Sequence, residues 1–117
     1  MTILRKKQQV TEDRYPGVKR TVLTGSETGA SMLSVGDIVM EPDSSIPYHV
    51  HPNTEESMYL VEGDLIMKLD GCEFNITSGD CVLATKGTGH GIDNVSGKSA
   101  RIITVFPDIS PEMRPFD

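Results

Sequence analysis

Short runs of alternating apolar and polar residues, each closed by turn-forming residues, occupy most of this chain. Met32 to Glu41, Ser57 to Val61, Leu65 to Leu69, Cys72 to Ile76, Cys81 to Ala84 and Ala100 to Phe106 are β-branched, aromatic or alternating and predict strands. Asp70-Gly71 lies between two such runs. Both central positions of a two-residue hairpin turn need positive φ, so this pair predicts a hairpin. Glu62-Gly63-Asp64, Thr77-Ser78-Gly79-Asp80 and Glu41-Pro42-Asp43-Ser44-Ser45 mark further turns. No stretch carries sustained helical periodicity, and no repeat or low-complexity tract stands out. Regularly spaced short strands predict an all-β sandwich or barrel.

Alternation also assigns faces. Leu65, Met67 and Leu69 share one face, as do Cys72, Phe74 and Ile76 of the hairpin partner. Glu56 shares a face with Met58 and Leu60, while Ser57, Tyr59 and Val61 point away. His90 goes with Ile92 and Asn94. Met32, Met40, Met58 and Met67 are expected to pack the core, or to line a pocket within it.

The chain has three histidines, and each falls where a metal site needs one. His49 and His51 form a His-x-His pair, which puts both imidazoles on one side of an extended strand. Glu56 follows closely and His90 stands far downstream. Three imidazoles and a carboxylate suit a borderline first-row divalent metal. The alternative is that they are scattered core or surface histidines, but none is left over.

The residues around them read His49-Val-His51-Pro-Asn-Thr-Glu55-Glu56-Ser-Met-Tyr-Leu-Val-Glu-Gly63 and Gly79-Asp80-Cys-Val-Leu-Ala-Thr85-Lys-Gly87-Thr-Gly-His90-Gly-Ile-Asp-Asn94. This closely resembles the two signature motifs of the cupin superfamily, in its small single-domain form. His49, His51, Glu56 and Gly63 match the first motif, with Glu56 rather than Glu55 at the required separation. Gly79, Gly87, His90 and Asn94 match the second. Asp43 replaces the leading glycine, and Thr85 stands at a proline position, a change expected to loosen one turn. The resemblance implies a jelly-roll barrel (a double-stranded β-helix) with a metal held by His49, His51, Glu56 and His90. It also implies that Glu56 can leave the metal to act as a catalytic base, and that the chain forms a homodimer.

Length and composition fit one domain over residues 1–117, with an N-terminal arm at 1–16 available for exchange with a partner and a proline-broken tail at 107–117. The arm is too weakly patterned to build a core strand alone, and neither end reads as catalytic. The net charge of −6 gives no basic footprint for nucleic acid, and it argues against electrostatic binding to an anionic membrane. No apolar stretch can span a bilayer or serve as a signal core, so a cytoplasmic address is expected. Cys72 and Cys81 do not make a disulfide framework and are expected to be small buried hydrophobes.

One divalent ion (iron, manganese, nickel or zinc) with open positions can polarise an oxygen, activate water or admit dioxygen. The expected function is that of a metalloenzyme acting on a small organic substrate. Dioxygenase-like oxidoreductase chemistry comes first, with decarboxylase-like or isomerase-like chemistry beside it. The alternative is a non-enzymatic sensor or binding protein; a storage-like barrel with a degenerate site fits the intact ligand set least. Arg101 can reach the barrel mouth but reads better as a surface arginine, and Asp93 and Lys86 lie near His90. With no lysine or arginine firmly inside the pocket, an uncharged or singly charged ligand is expected.

Overall fold

The computed structural model describes residues 1–116. Its strands are β1 (Thr11–Tyr15), β2 (Val18–Thr24), β3 (Ser34–Met40), β4 (Ser45–Val50), β5 (Glu56–Glu62), β6 (Asp64–Leu69), β7 (Cys72–Thr77), β8 (Cys81–Ala84), β9 (His90–Asp93), β10 (Ala100–Phe106) and β11 (Arg114–Pro115). They form two antiparallel sheets, one six-stranded in the order β1-β2-β3-β10-β5-β8 and one five-stranded in the order β11-β4-β9-β6-β7. Neighbours far apart in sequence are the mark of a jelly roll. Two single-turn 3-10 helices, Lys6–Gln8 and Ser26–Thr28, complete the regular structure. Among the described residues no helix is long and apolar enough to cross a membrane.

Inward rows run across the sheets. Ile38, Ile102 and Leu60 are cross-strand neighbours, as are Gly36, Thr104 and Met58. From the opposite sheet Met67 lies beside Ile92, and Ile92 beside Ile46. Met40, Met58, Leu60, Met67 and Ile102 are buried in the core between the sheets. Burying side chains of this size supplies about 1.5–3 kcal/mol each.

The predicted strands all form, with ends shifted by a residue or two, but others do not follow from alternation. β1 is the strand Thr-Glu-Asp-Arg-Tyr, in a region expected to be an unpatterned arm. As an edge strand it needs one partner only, and it pairs with β2 of the same chain through Gly17, whose φ is +74°. Both cysteines are free and exposed, not buried, and lie in different sheets on β7 and β8. β7 explains this for Cys72. Its register is as predicted, with Leu65 opposite Ile76, Met67 opposite Phe74 and Leu69 opposite Cys72. As an edge strand, though, it escapes cover from the other sheet, so of its three apolar residues only Ile76 is buried.

Candidate metal centre

The four predicted residues meet inside the barrel. His49 lies on β4 directly opposite His90, the first residue of β9. His51 follows β4, and Glu56 opens β5 in the facing sheet. All four are buried, and one donor atom from each lies within 4.8 Å of every other. Two glycines let the strands close in. A Cβ at Gly89 would lie 2.7 Å from the Tyr48 ring, and one at Gly91 would lie 3.0 Å from the Ile46 carbonyl oxygen. Tyr48 points away from the centre, as alternation requires, and its hydroxyl accepts a hydrogen bond from the Gly71 amide at 3.0 Å.

Backbone carbonyls aim the imidazoles. The Nδ1 atoms of His49, His51 and His90 donate to the carbonyls of Pro47 (2.7 Å), Glu112 (2.7 Å) and Thr88 (3.0 Å). An imidazole that donates from Nδ1 presents a lone pair at Nε2. The inward atoms then crowd together: His49 Nε2 to His51 Nε2 is 3.2 Å, His51 Nε2 to Glu56 Oε1 is 3.4 Å, and His90 Nε2 to Glu56 Oε1 is 2.9 Å. Four electron-rich atoms so close can hold a cation among them. Ligands about 2.1 Å from one ion are separated by about 3.0–3.4 Å at octahedral or tetrahedral angles, and these three contacts come close to that spacing.

The protonation equilibria tell the same story. Burial, reinforced by the neighbouring His90 and His51, lowers the His49 pKa to about 4. Burial also works against a charged His51, but its bonds to Glu56 and the Glu112 carbonyl outweigh that and raise its pKa. For Glu56 burial is again the largest effect and favours the neutral acid; bonds from His51 and His90 overcome it and lower the pKa.

The residues open onto a cavity of about 100 Å³, whose apolar wall includes Met58, Ile92 and Phe106. Its mouth is built from both chain ends: Arg14, Tyr15 and Arg20 on one side, Pro111 and Met113 on the other. The sequence reading missed these residues and expected no arginine in the pocket. The one signal for Arg20 was its position in alternation with Val18 and Val22.

Other expectations resolve plainly. Met58 lines the cavity, Met40 and Met67 fill the core, and Met32 is exposed, outside both. Arg101 grips Asp37 with two nitrogens on the outer face of the six-stranded sheet, far from any role at the mouth. Asp93 pairs with Lys68 at 3.1 Å, while Lys86 and Glu55 are exposed. Asn94, fully buried, is a latch and not part of the centre. Its amide nitrogen lies within 3.2 Å of the Met40, Glu41 and Lys98 carbonyls. The turn at Thr85 is held by a 2.6 Å contact between the Thr85 and Thr88 hydroxyls and by the Thr88 amide bonding back to the Thr85 carbonyl. It is closed without the proline.

A family model described as a cupin domain matches residues 36–106, a stretch that contains all four converging residues. The chain is a cupin. Among curated relatives, this cupin is 31% identical over 98 residues to the tetracenomycin polyketide synthase protein TcmJ of Streptomyces glaucescens, covering 84% of the chain and 66% of TcmJ. It is 32% identical over 96 residues to the polyketide synthase CurC of Streptomyces cyaneus, covering 82% of the chain and 62% of CurC. The matches thus span only about two-thirds of these relatives. Among solved structures, the polyketide cyclase RemF from Streptomyces resistomycificus superposes with a TM-score of 0.85 at 22% identity, covering all of this chain and 86% of RemF. That likeness concerns the fold.

Proposed function

We propose that this cupin holds a divalent transition metal through His49, His51, Glu56 and His90 and catalyses proton transfer on an enolisable carbonyl compound, in a cyclisation of the polyketide type. The observation that carries this reading is the set of three Nε2 atoms and one carboxylate oxygen, each aimed inward, at metal-ligand spacing. The names of the polyketide relatives supply the substrate class. They favour carbon–carbon bond formation over the dioxygen chemistry placed first from sequence, which stays as the second reading.

When bound, the metal would act as a Lewis acid on a carbonyl oxygen, acidifying the adjacent C–H. The chain's own residues do the rest. Pro47, Glu112 and Thr88 carbonyls keep the imidazoles in one tautomer, which fixes the ligand geometry. Glu56 uses Oε1 towards His51 and His90, and its Oε2 makes no hydrogen bond among the described residues, leaving that oxygen to take the substrate proton. Met58, Ile92 and Phe106 keep water from the developing enolate.

Metal analysis of the purified protein, followed by hydrogen–deuterium exchange at the α-carbon of a β-keto ester, tests the reading. Metal-dependent exchange without oxygen uptake is expected, and Glu56→Gln should lose exchange at least about 100-fold. Oxygen consumption coupled to substrate loss would restore the dioxygenase reading, and metal-free protein at full activity would end both. For assembly, we propose a homodimer through the outer face of the six-stranded sheet, where Tyr59, Leu83 and Val105 are exposed. Tyr59→Glu should then give a monomer in light scattering.

A further inference from the structure

Arg20 lies on the inner face of β2, and its Nε has no hydrogen-bond partner among the described residues. On β2 it lies opposite Ile38, which is buried, so its side chain shares the inner face and lines the cavity of the metal centre. Gly36 on β3 lies beside it. A Cβ at that position would lie 3.5 Å from Arg20 Nε and 3.1 Å from the Thr104 hydroxyl. Arg20 Nε is buried, and among the described residues it makes no hydrogen bond. The nearest acid is Glu12, whose Oε1 lies 3.9 Å from Arg20 Nε and 3.9 Å from a terminal nitrogen of Arg14. Both distances are too long for a hydrogen bond, and the Glu12 side chain is half exposed. With two guanidinium groups against one carboxylate, the trio keeps a net positive charge at the mouth.

Arg20 also marks a junction. Arg20 and Pro111 line the metal cavity and, on their other side, a second cavity of about 460 Å³ beside the Ser26–Thr28 turn and Val22. The first cavity, at about 100 Å³, is smaller than the roughly 150 Å³ that holds one benzene ring. Even one ring is not wholly enclosed next to the metal ligands, and Arg20, which lines both cavities, stands where the rest of a longer ligand can pass into the second.

We propose that the ligand is an elongated organic acid, or a compound that forms an enolate, with one end at the metal centre, its far end in the second cavity and an anionic oxygen seated on Arg20. This rests on the metal-centre reading above. The fork of a guanidinium suits a planar carboxylate or enolate, and a buried N–H without an acceptor gains most when a ligand supplies one. Arg20 therefore sets specificity for charge, and the second cavity sets specificity for length.

Zinc-loaded protein titrated with benzoate, 2-naphthoate and 2-naphthamide, followed by amide NMR, tests this, with zinc content measured separately on each sample. Wild type should bind 2-naphthoate more tightly than benzoate or 2-naphthamide, and only the naphthyl compounds should shift the Ser26 and Thr28 resonances. Arg20→Gln should weaken both carboxylates about tenfold or more and the amide little, while Arg20→Lys keeps part of the difference. Unchanged carboxylate affinity in Arg20→Gln overturns the inference, as does a wild type that takes up zinc but does not bind 2-naphthoate. A wild type that takes up no zinc overturns the metal-centre reading instead. Carboxylate binding that still depends on Arg20 in such protein would keep the arginine's role.

Discussion

The ligand cluster and the mouth above it share one cavity but are built in different ways. Each imidazole of the cluster is tied at Nδ1 to a backbone carbonyl, so its Nε2 is aimed whether or not a ligand is present. At the mouth, Arg20 has a buried Nε with no acceptor, and Glu12 stands off at 3.9 Å. The cluster also lies wholly within the stretch matched as a cupin domain, residues 36–106, whereas Arg14, Tyr15, Arg20, Pro111 and Met113 all lie outside it. The four converging side chains belong to the common part of the fold, and only the carbonyl that orients His51 comes from the flanking tail. The mouth of the cavity is supplied by flanking chain, where the Arg20 Nε is left without an acceptor.

The harshest way to break this comparison is to remove a ligand. His90→Ala should abolish tight metal uptake, read by elemental analysis after dialysis, while the circular dichroism spectrum stays that of a folded β protein. Retained full occupancy would show that the cluster is not the metal centre. Next in size is deletion of residues 110–117, which removes the Glu112 carbonyl from His51. Metal affinity should fall about 10–100-fold in a competitive chelator titration, and an unchanged affinity would mean that the aiming of His51 does not depend on the tail.

Acid should act on the cluster and spare the mouth. The His49 pKa is about 4 in the folded protein, below the ordinary 6.5 of the unfolded chain. The unfolded state therefore takes up the proton first, and stability contributed by neutral His49 is present above pH 6.5 and lost as the pH falls towards 4. Glu56, also lowered, works in the same direction below its ordinary 4.5. His51, raised, contributes in the opposite sense: its stabilisation is present below pH 6.5 and is lost as the pH rises through its folded value. Thermal unfolding of metal-free protein should show melting temperature dropping from pH 6.5 to 4, with a shallower drop in His49→Gln. Equal slopes would contradict the burial assigned to His49. At the small end, Glu55→Gln should change neither metal content nor melting temperature measurably, since Glu55 is exposed.

The cluster was legible because its residue types are rare in this chain and its spacing obeys strand geometry. Two histidines one residue apart must share a face, and Glu56 rather than Glu55 keeps step with Met58 and Leu60. Core strands such as β3 and β10 were legible for the same reason, since burial on one face writes a period of two into the sequence. The mouth left no such trace. β1 is an exposed edge whose residues are nearly all polar, and the tail reaches β4 through backbone pairing of Arg114 with Val50 and Pro115 with His49, which any side chain permits. Arg20 drew no reading from the sequence, because nothing local reveals that its inward face opens on a cavity. Cys72 and Phe74 failed in the other direction: their alternation was right, but whether a face is covered depends on the opposite sheet.

The bond from His51 to the Glu112 carbonyl has a consequence for biosynthesis. In a chain made from its N-terminus, all four converging side chains appear before the carbonyl that orients one of them. A nascent barrel therefore holds a ligand set with one imidazole still free to turn, and the docking of β11 on β4 is the event that matures it. Completion of the four-residue cluster is in this way tied to completion of the fold.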